Sequence, residues 1–137
     1  MLLEPRYVKL STRTGIEVRR TLPNARKRMI GAWAFADHFG PTSQDEGMVV
    51  AAHPHTGLQT ATWMIEGKFE HRDSICTIQN IEPGQLNLMT AGRGIVHSER
   101  TPDDQRGVAR RIHGLQLWAA LPVADEEAAV SAEIAQA

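Results

Sequence analysis

Two short clusters of side chains in this sequence could hold a metal ion, His53-Pro54-His55 and His97-Ser98-Glu99. Each is a pair of ligands two residues apart. Side chains on a β-strand alternate between faces, so residues i and i+2 point the same way. His53 and His55 can therefore aim at one point from one strand, and His97 and Glu99 from another. If the two strands face each other, three imidazoles and a carboxylate converge. That donor set suits a divalent transition metal such as Fe, Mn, Co, Ni, Cu or Zn, with one or two coordination positions left open. A lone His-x-His is more often structural; a second pair of the same spacing, separated from the first by turns, favours a built site.

The elements that must position these pairs are strands. Glu66-Gly67, Glu82-Pro83-Gly84 and Ala91-Gly92-Arg93-Gly94 read as turns, the last leading directly into His97. Alternating apolar residues predict short strands at 6–10 and 16–21 joined at Thr14-Gly15, and Met29–Ala36 predicts a buried strand ending at Asp37-His38-Phe39-Gly40-Pro41. A polar loop over 41–47 and Met48–Ala51 then lead into the first cluster. A long strand follows from Gly57 to Ile65, with Gln59, Ala61, Trp63 and Ile65 continuing the face of His53 and His55 unless Gly57 introduces a bulge. Gln59 is then either a pocket residue or a structural strand amide. Further strands are expected at 75–81, 85–90 and 112–121, with a loop at 100–110. His38 reads as a loop histidine tying down its own turn, and His71, among charged neighbours, as an exposed edge residue. Beyond Pro122 the Ala- and Glu-rich composition of 123–137 predicts a short helix. The chain thus divides into a single domain over 1–122 and a tail.

Composition narrows the function classes. A chain of 137 residues with 42% apolar content is one soluble globular domain, long enough to bury a core. It contains no apolar run that would span a membrane and opens without a basic-then-apolar leader, which makes the cytoplasm the expected location. A net charge of −1 argues against general binding to nucleic acid, and the local clusters Arg26-Lys27-Arg28 and Arg110-Arg111 read as solvated faces. One cysteine, Cys76, excludes an internal disulfide framework and reads as a half-buried strand thiol.

Several stretches together resemble the pirin family of the cupin superfamily: HPHTGLQTATWMIEG, EHRDS and MTAGRGIVHSE, with DHFGP upstream and HGLQLW downstream. The resemblance runs from about Arg19 to Pro122. It implies an all-β, cupin-type β-barrel (jelly roll) with a metal in its mouth, held by His53, His55, His97 and Glu99. Iron(II) is the ion it implies first, with Ni, Zn, Cu, Mn or Co as substitutes. The chain departs from the usual HPHRGFET at Thr56, Leu58 and Gln59, and pirins usually carry a second cupin domain. Two functions follow from the resemblance. One is a metal-dependent dioxygenase of the quercetin 2,3-dioxygenase type, acting on a flavonol with O2, in which Glu99 is the catalytic residue that takes the hydroxyl proton. The other is an iron-bound regulatory module that binds transcription factors or metabolic enzymes. A homodimer is expected, a second copy covering the surface that a second domain would cover.

Overall fold

The computed structural model describes residues 1–10, 16–43, 47–108 and 110–136. Among them the chain forms β1 (Arg6–Lys9), β2 (Glu17–Leu22), β3 (Trp33–Ser43), β4 (Val49–His55), β5 (Leu58–Glu66), β6 (Phe69–Asp73), β7 (Ile78–Ile81), β8 (Gln85–Thr90), β9 (Ile95–Arg100), β10 (Arg111–Ala120) and β11 (Ser131–Gln136). The helical segments among the described residues are two short 3-10 turns, Asp103–Gln105 and Val123–Asp125. No helix among them is long and apolar enough to cross a membrane.

The strands form two antiparallel sheets, as the jelly-roll reading requires. The larger has the order β1-β2-β3-β10-β5-β8-β11 and the smaller β4-β9-β6-β7. β1-β2, β2-β3 and β6-β7 pair consecutive strands, while β10, β5, β8, β11, β4 and β9 pair across long stretches of sequence. The larger sheet turns Asp37, Gln116 and Trp118 to the interior, and Thr60, Thr62 and Met64 of β5 and Asn87 and Met89 of β8 are buried on the same face. A core of Val18, Phe39, Met64 and Ile112 from the larger sheet meets Phe69 and Ile81 from the smaller. The Phe39 and Phe69 rings join the two sheets with centroids 5.3 Å apart.

Gly114 shows how closely the larger sheet is packed. A Cβ there would lie 2.4 Å from a ring carbon of Phe39 and 2.6 Å from the Trp63 carbonyl oxygen. No residue but glycine fits between those neighbours without a shift.

Several expectations are corrected. The 123–137 tail is not a helix: after the 3-10 turn it extends as β11 and pairs with β8 in full register, Ser131 opposite Thr90 through Gln136 opposite Gln85. The open edge of β8 supplies hydrogen-bond partners that override the weak helical preference of the alanines. Val130, Ala132 and Ile134, two residues apart, pack on the core from that edge. The strand expected at 29–36 instead starts at Trp33 and runs through Asp37-His38-Phe39-Gly40-Pro41, leaving Met29 and Ile30 exposed. Gly57, at φ 65°, carries the chain out of the smaller sheet into the larger. Thr60, Thr62 and Met64 therefore face inward, and not the set containing Gln59 and Trp63. Cys76 is exposed, in the turn between β6 and β7. The Thr14-Gly15 turn lies outside the described residues.

Candidate metal centre

Both expected ligand pairs lie on adjacent strands of the smaller sheet. His53 and His55 sit on β4 and His97 and Glu99 on β9, with His53 directly opposite His97. The alternation rule holds, since both pairs face the interior. A register shift between Val50 and His53 adjusts β4 just before its ligands. One ring nitrogen from each of His53, His55 and His97 lies within 4.8 Å of the other two. That group contains the three imidazoles and not the Glu99 carboxylate. Glu99 lines the same cavity two residues further along β9, opposite Val50 on one side and His71 on the other.

The three imidazoles are disposed as a set of metal ligands would be. His53 Nδ1 is 2.8 Å from the Ala51 carbonyl oxygen, so it carries the proton and donates, leaving Nε2 free to coordinate. His55 Nε2 and His97 Nε2 stand 3.1 Å apart. Nitrogens bound at about 2.0–2.1 Å to one metal at angles near 90–110° lie roughly 2.9–3.4 Å from each other. The observed separation fits a shared ion, and three imidazoles are a donor set suited to Fe, Ni, Cu or Zn.

Burial sets the protonation states. The removal of His97 from water, reinforced by the imidazoles of His53, His71 and His55, pushes it down to about 3. Burial, with His53 beside it, pushes His55 down to about 4. Both are therefore neutral near pH 7 and need release no proton to bind a metal. Glu99 moves the other way: burial raises it above the usual carboxylate range, and the nearby His53 and His71 only partly offset that rise.

A third pair of the same spacing stands behind the ligands. His71 and Asp73 lie on β6, the other neighbour of β9, with His71 opposite Glu99 and Asp73 opposite His97. Both side chains are fully buried. His71 Nε2 is 3.0 Å from Asp73 Oδ2, and His71 Nδ1 is 3.4 Å from His97 Nδ1. Asp73 Oδ1 accepts from the backbone N–H groups of Ile75 and Thr77, at 3.0 and 2.9 Å. Burial alone would raise Asp73, but the hydrogen bonds from His71, Thr77 and Ile75 outweigh it and hold the carboxyl below its ordinary value.

The cavity is about 400 Å³. The smaller sheet supplies its polar wall with His53, His55 and Glu99; the larger sheet faces it with Val18, Phe35, Phe39 and Trp118. Trp118 stacks on Phe35 at 4.0 Å between centroids and meets the edge of His55 at 4.8 Å. Arg20 also lines it, pairing through two 2.8 Å bonds with buried Asp37 and lying 4.1 Å over the Phe35 ring. The cavity is thus an apolar slot with imidazoles on one wall and a neutralised ion pair on the other.

The family model described as Pirin matches residues 15–119. The chain belongs to the pirin family. A Pseudomonas aeruginosa relative, provisionally named a quercetin 2,3-dioxygenase, is 53% identical over 110 residues, covering 79% of this chain and 34% of the relative. A pirin-like protein of Caulobacter vibrioides is 44% identical over 115 residues, covering 81% of this chain and 40% of the relative. The crystal structure of quercetin 2,3-dioxygenase from Acinetobacter baumannii superposes with a TM-score of 0.87 at 44% identity, covering 96% of this chain and 42% of that one. A bacterial pirin from Escherichia coli in complex with nickel(II) shares the fold, with a TM-score of 0.80 at 21% identity over 98% of this chain and 57% of that one. The chain spans roughly a third to two-fifths of the curated relatives it matches.

Within this pirin domain three of the four expected ligands come together, with Glu99 beside them. Gln59 is the structural amide of its two readings: its Nε2 donates to Thr90 Oγ1 at 3.0 Å in the β5–β8 pair, and it does not line the cavity. His38 is not a loop residue but lies on β3, with Nε2 2.7 Å from His113 Nε2 and 2.9 Å from Arg19 Nη2. His71 is buried, not an exposed edge. The alternation Phe69, His71, Asp73 against Glu70, Arg72 carries that signal in the sequence, for Glu70 and Arg72 pair with each other on the opposite face.

Proposed function

We propose that this chain is the metal-binding cupin domain of a dioxygenase of the quercetin 2,3-dioxygenase type. The observation that carries the reading is the imidazole triad set in the polar wall of a 400 Å³ aromatic slot. His53, His55 and His97 hold the ion, and Glu99, on the same strand face as His97, completes the set. Iron(II) is the resident ion proposed, while Ni, Zn, Cu, Mn or Co can occupy the same ligands, since raw affinity follows the divalent series. A metal so held supplies Lewis-acid polarisation of the substrate's oxygens and a meeting point for substrate and O2.

The protein's own residues do the rest. Trp118, with Val18 and Phe39 beside it, gives the slot an apolar lining for a planar ring system such as a flavonol. Gln116 Oε1 already accepts from Thr62 Oγ1 at 2.7 Å, which leaves its NH2 to donate to a substrate oxygen. Glu99 accepts the flavonol hydroxyl proton at its carboxylate, and its raised basicity suits that task. The names of the Pseudomonas and Acinetobacter relatives support the substrate class. We place the protein in the cytoplasm and assemble it as a homodimer through the outer face of its larger sheet.

Oxygen uptake by the iron-loaded protein with a flavonol tests this reading, with Glu99→Gln beside the wild type. Turnover is expected in the wild type, and the Gln variant should lose on the order of 100-fold or more in rate, the usual contribution of a general base, while losing much less metal. No oxygen uptake by fully loaded wild type overturns the dioxygenase. Equal losses of metal and rate in the variant reduce Glu99 to a ligand.

A further inference from the structure

We infer that His71 and Asp73 are positioning residues that fix the tautomer of His97, so that its Nε2 stays bare toward the metal. The inference rests on the metal centre proposed above, and its argument is a count of protons along a buried chain. Asp73 takes two backbone N–H groups at Oδ1 and the His71 ring at Oδ2, the arrangement of a carboxylate, which can only accept. The contact of 3.0 Å to its Oδ2 therefore requires that His71 Nε2 carry a proton. The relay takes His71 as a neutral imidazole, whose single N–H is committed to Asp73, so that His71 Nδ1 is left as an acceptor. The next contact, 3.4 Å from His71 Nδ1 to His97 Nδ1, then requires the proton to sit on His97 Nδ1. His97 Nε2, the atom that faces His55 Nε2 at 3.1 Å, is consequently unprotonated. Every donor in the chain points away from the metal position.

The sheet makes this polarity rigid. Asp73 sits opposite His97 across β6 and β9. Its other oxygen is fixed by the Ile75 and Thr77 N–H groups in the turn after β6. Neither the His71 nor the Asp73 side chain has any exposure to solvent, so bulk water does not reach their contact. A histidine ligand commonly donates its second nitrogen to a carboxylate or carbonyl, and here a second imidazole is interposed before the carboxylate is reached.

Asp73→Asn separates this role from simple packing. The variant is isosteric, and its Oδ1 is retained by the two backbone N–H groups, so the turn is preserved. Its NH2 then faces His71 Nε2, where an acceptor is now required. His71 must carry its proton on Nδ1, which confronts the Nδ1–H of His97. His97 can relieve the clash only by moving its proton to Nε2, the coordinating atom.

Two measurements test this on the full chain. Nitrogen-15 NMR of histidine-labelled, metal-free wild type is expected to show His97 protonated at Nδ1 and His71 at Nε2; a His97 carrying its proton on Nε2 overturns the inference, whether or not any variant folds. Nickel(II) titration against a competing chelator is expected to show Asp73→Asn binding about 10- to 100-fold more weakly than wild type, with the fold retained by circular dichroism. Unchanged nickel affinity in a variant with an intact fold also overturns it. Failure of wild type to bind nickel would defeat the proposed metal centre instead, and the NMR result would still decide the relay.

Discussion

His55 and His97 are held neutral by burial, and that has a signed consequence for stability. Their folded values, about 4 and about 3, lie below the ordinary histidine value near 6.5. Each therefore contributes stability that is present above the unfolded value and lost as pH falls toward the folded one. Asp73, also lowered, acts in the same sense at more acid pH. Glu99, raised by burial, acts in the opposite sense, its contribution being lost as pH rises through its folded value. The metal-free protein is expected to lose melting temperature steadily between about pH 6.5 and pH 4. In His55→Gln that decline should be shallower. Calorimetry of both proteins across this range is the check, and parallel curves would mean that His55 is not the buried neutral group described. At this scale the ligands were legible because period-two spacing survives in any strand. Asp73 and His71 were hidden by their charged neighbours, whose side chains point the other way.

At the scale of elements, Gly114 of β10 is the position where two strands and an aromatic ring crowd one backbone atom. Gly114→Ala is expected to cost about 1–3 kcal/mol, the usual penalty of forcing a methyl group into a packed interior, and to lower the melting temperature by several degrees. An unchanged melting temperature would contradict the close approach of Phe39 and Trp63. Strand positions bounded by glycine and proline turns were legible in the sequence, and β8 falls on the expected residues, Gln85–Thr90. Sheet membership was not legible. β4 and β5 are nearly continuous in sequence yet lie in different sheets, which reverses the face that alternation alone gives Gln59 and Trp63. In the tail, the Ala- and Glu-rich composition points to helix, and the Val130, Ala132, Ile134 alternation becomes decisive only beside the open edge of β8.

At the scale of the whole molecule, the outer face of the larger sheet carries a half-buried apolar cluster across β10, β5 and β8. Asp37, Gln116 and Trp118 turn inward, so Leu115 and Leu117 of β10 turn outward, with Trp63 of β5 and Leu86 and Leu88 of β8 in the same pairing rows. Contiguous apolar faces of this kind mark interfaces, and β11 extends the sheet edge without covering them. Sedimentation is expected to find a dimer at micromolar concentration, and Leu117→Glu a monomer; a wild-type monomer would remove the dimer from the account. The two sheets otherwise serve one purpose, to hold three imidazoles at a common point in the wall of an aromatic slot. Elemental analysis of the purified chain, in parallel with His97→Ala, tests that most directly. The account predicts one equivalent of a divalent transition metal in the wild type and none retained in the variant. A wild type that takes up no metal when loaded, or a fully occupied variant, would contradict it.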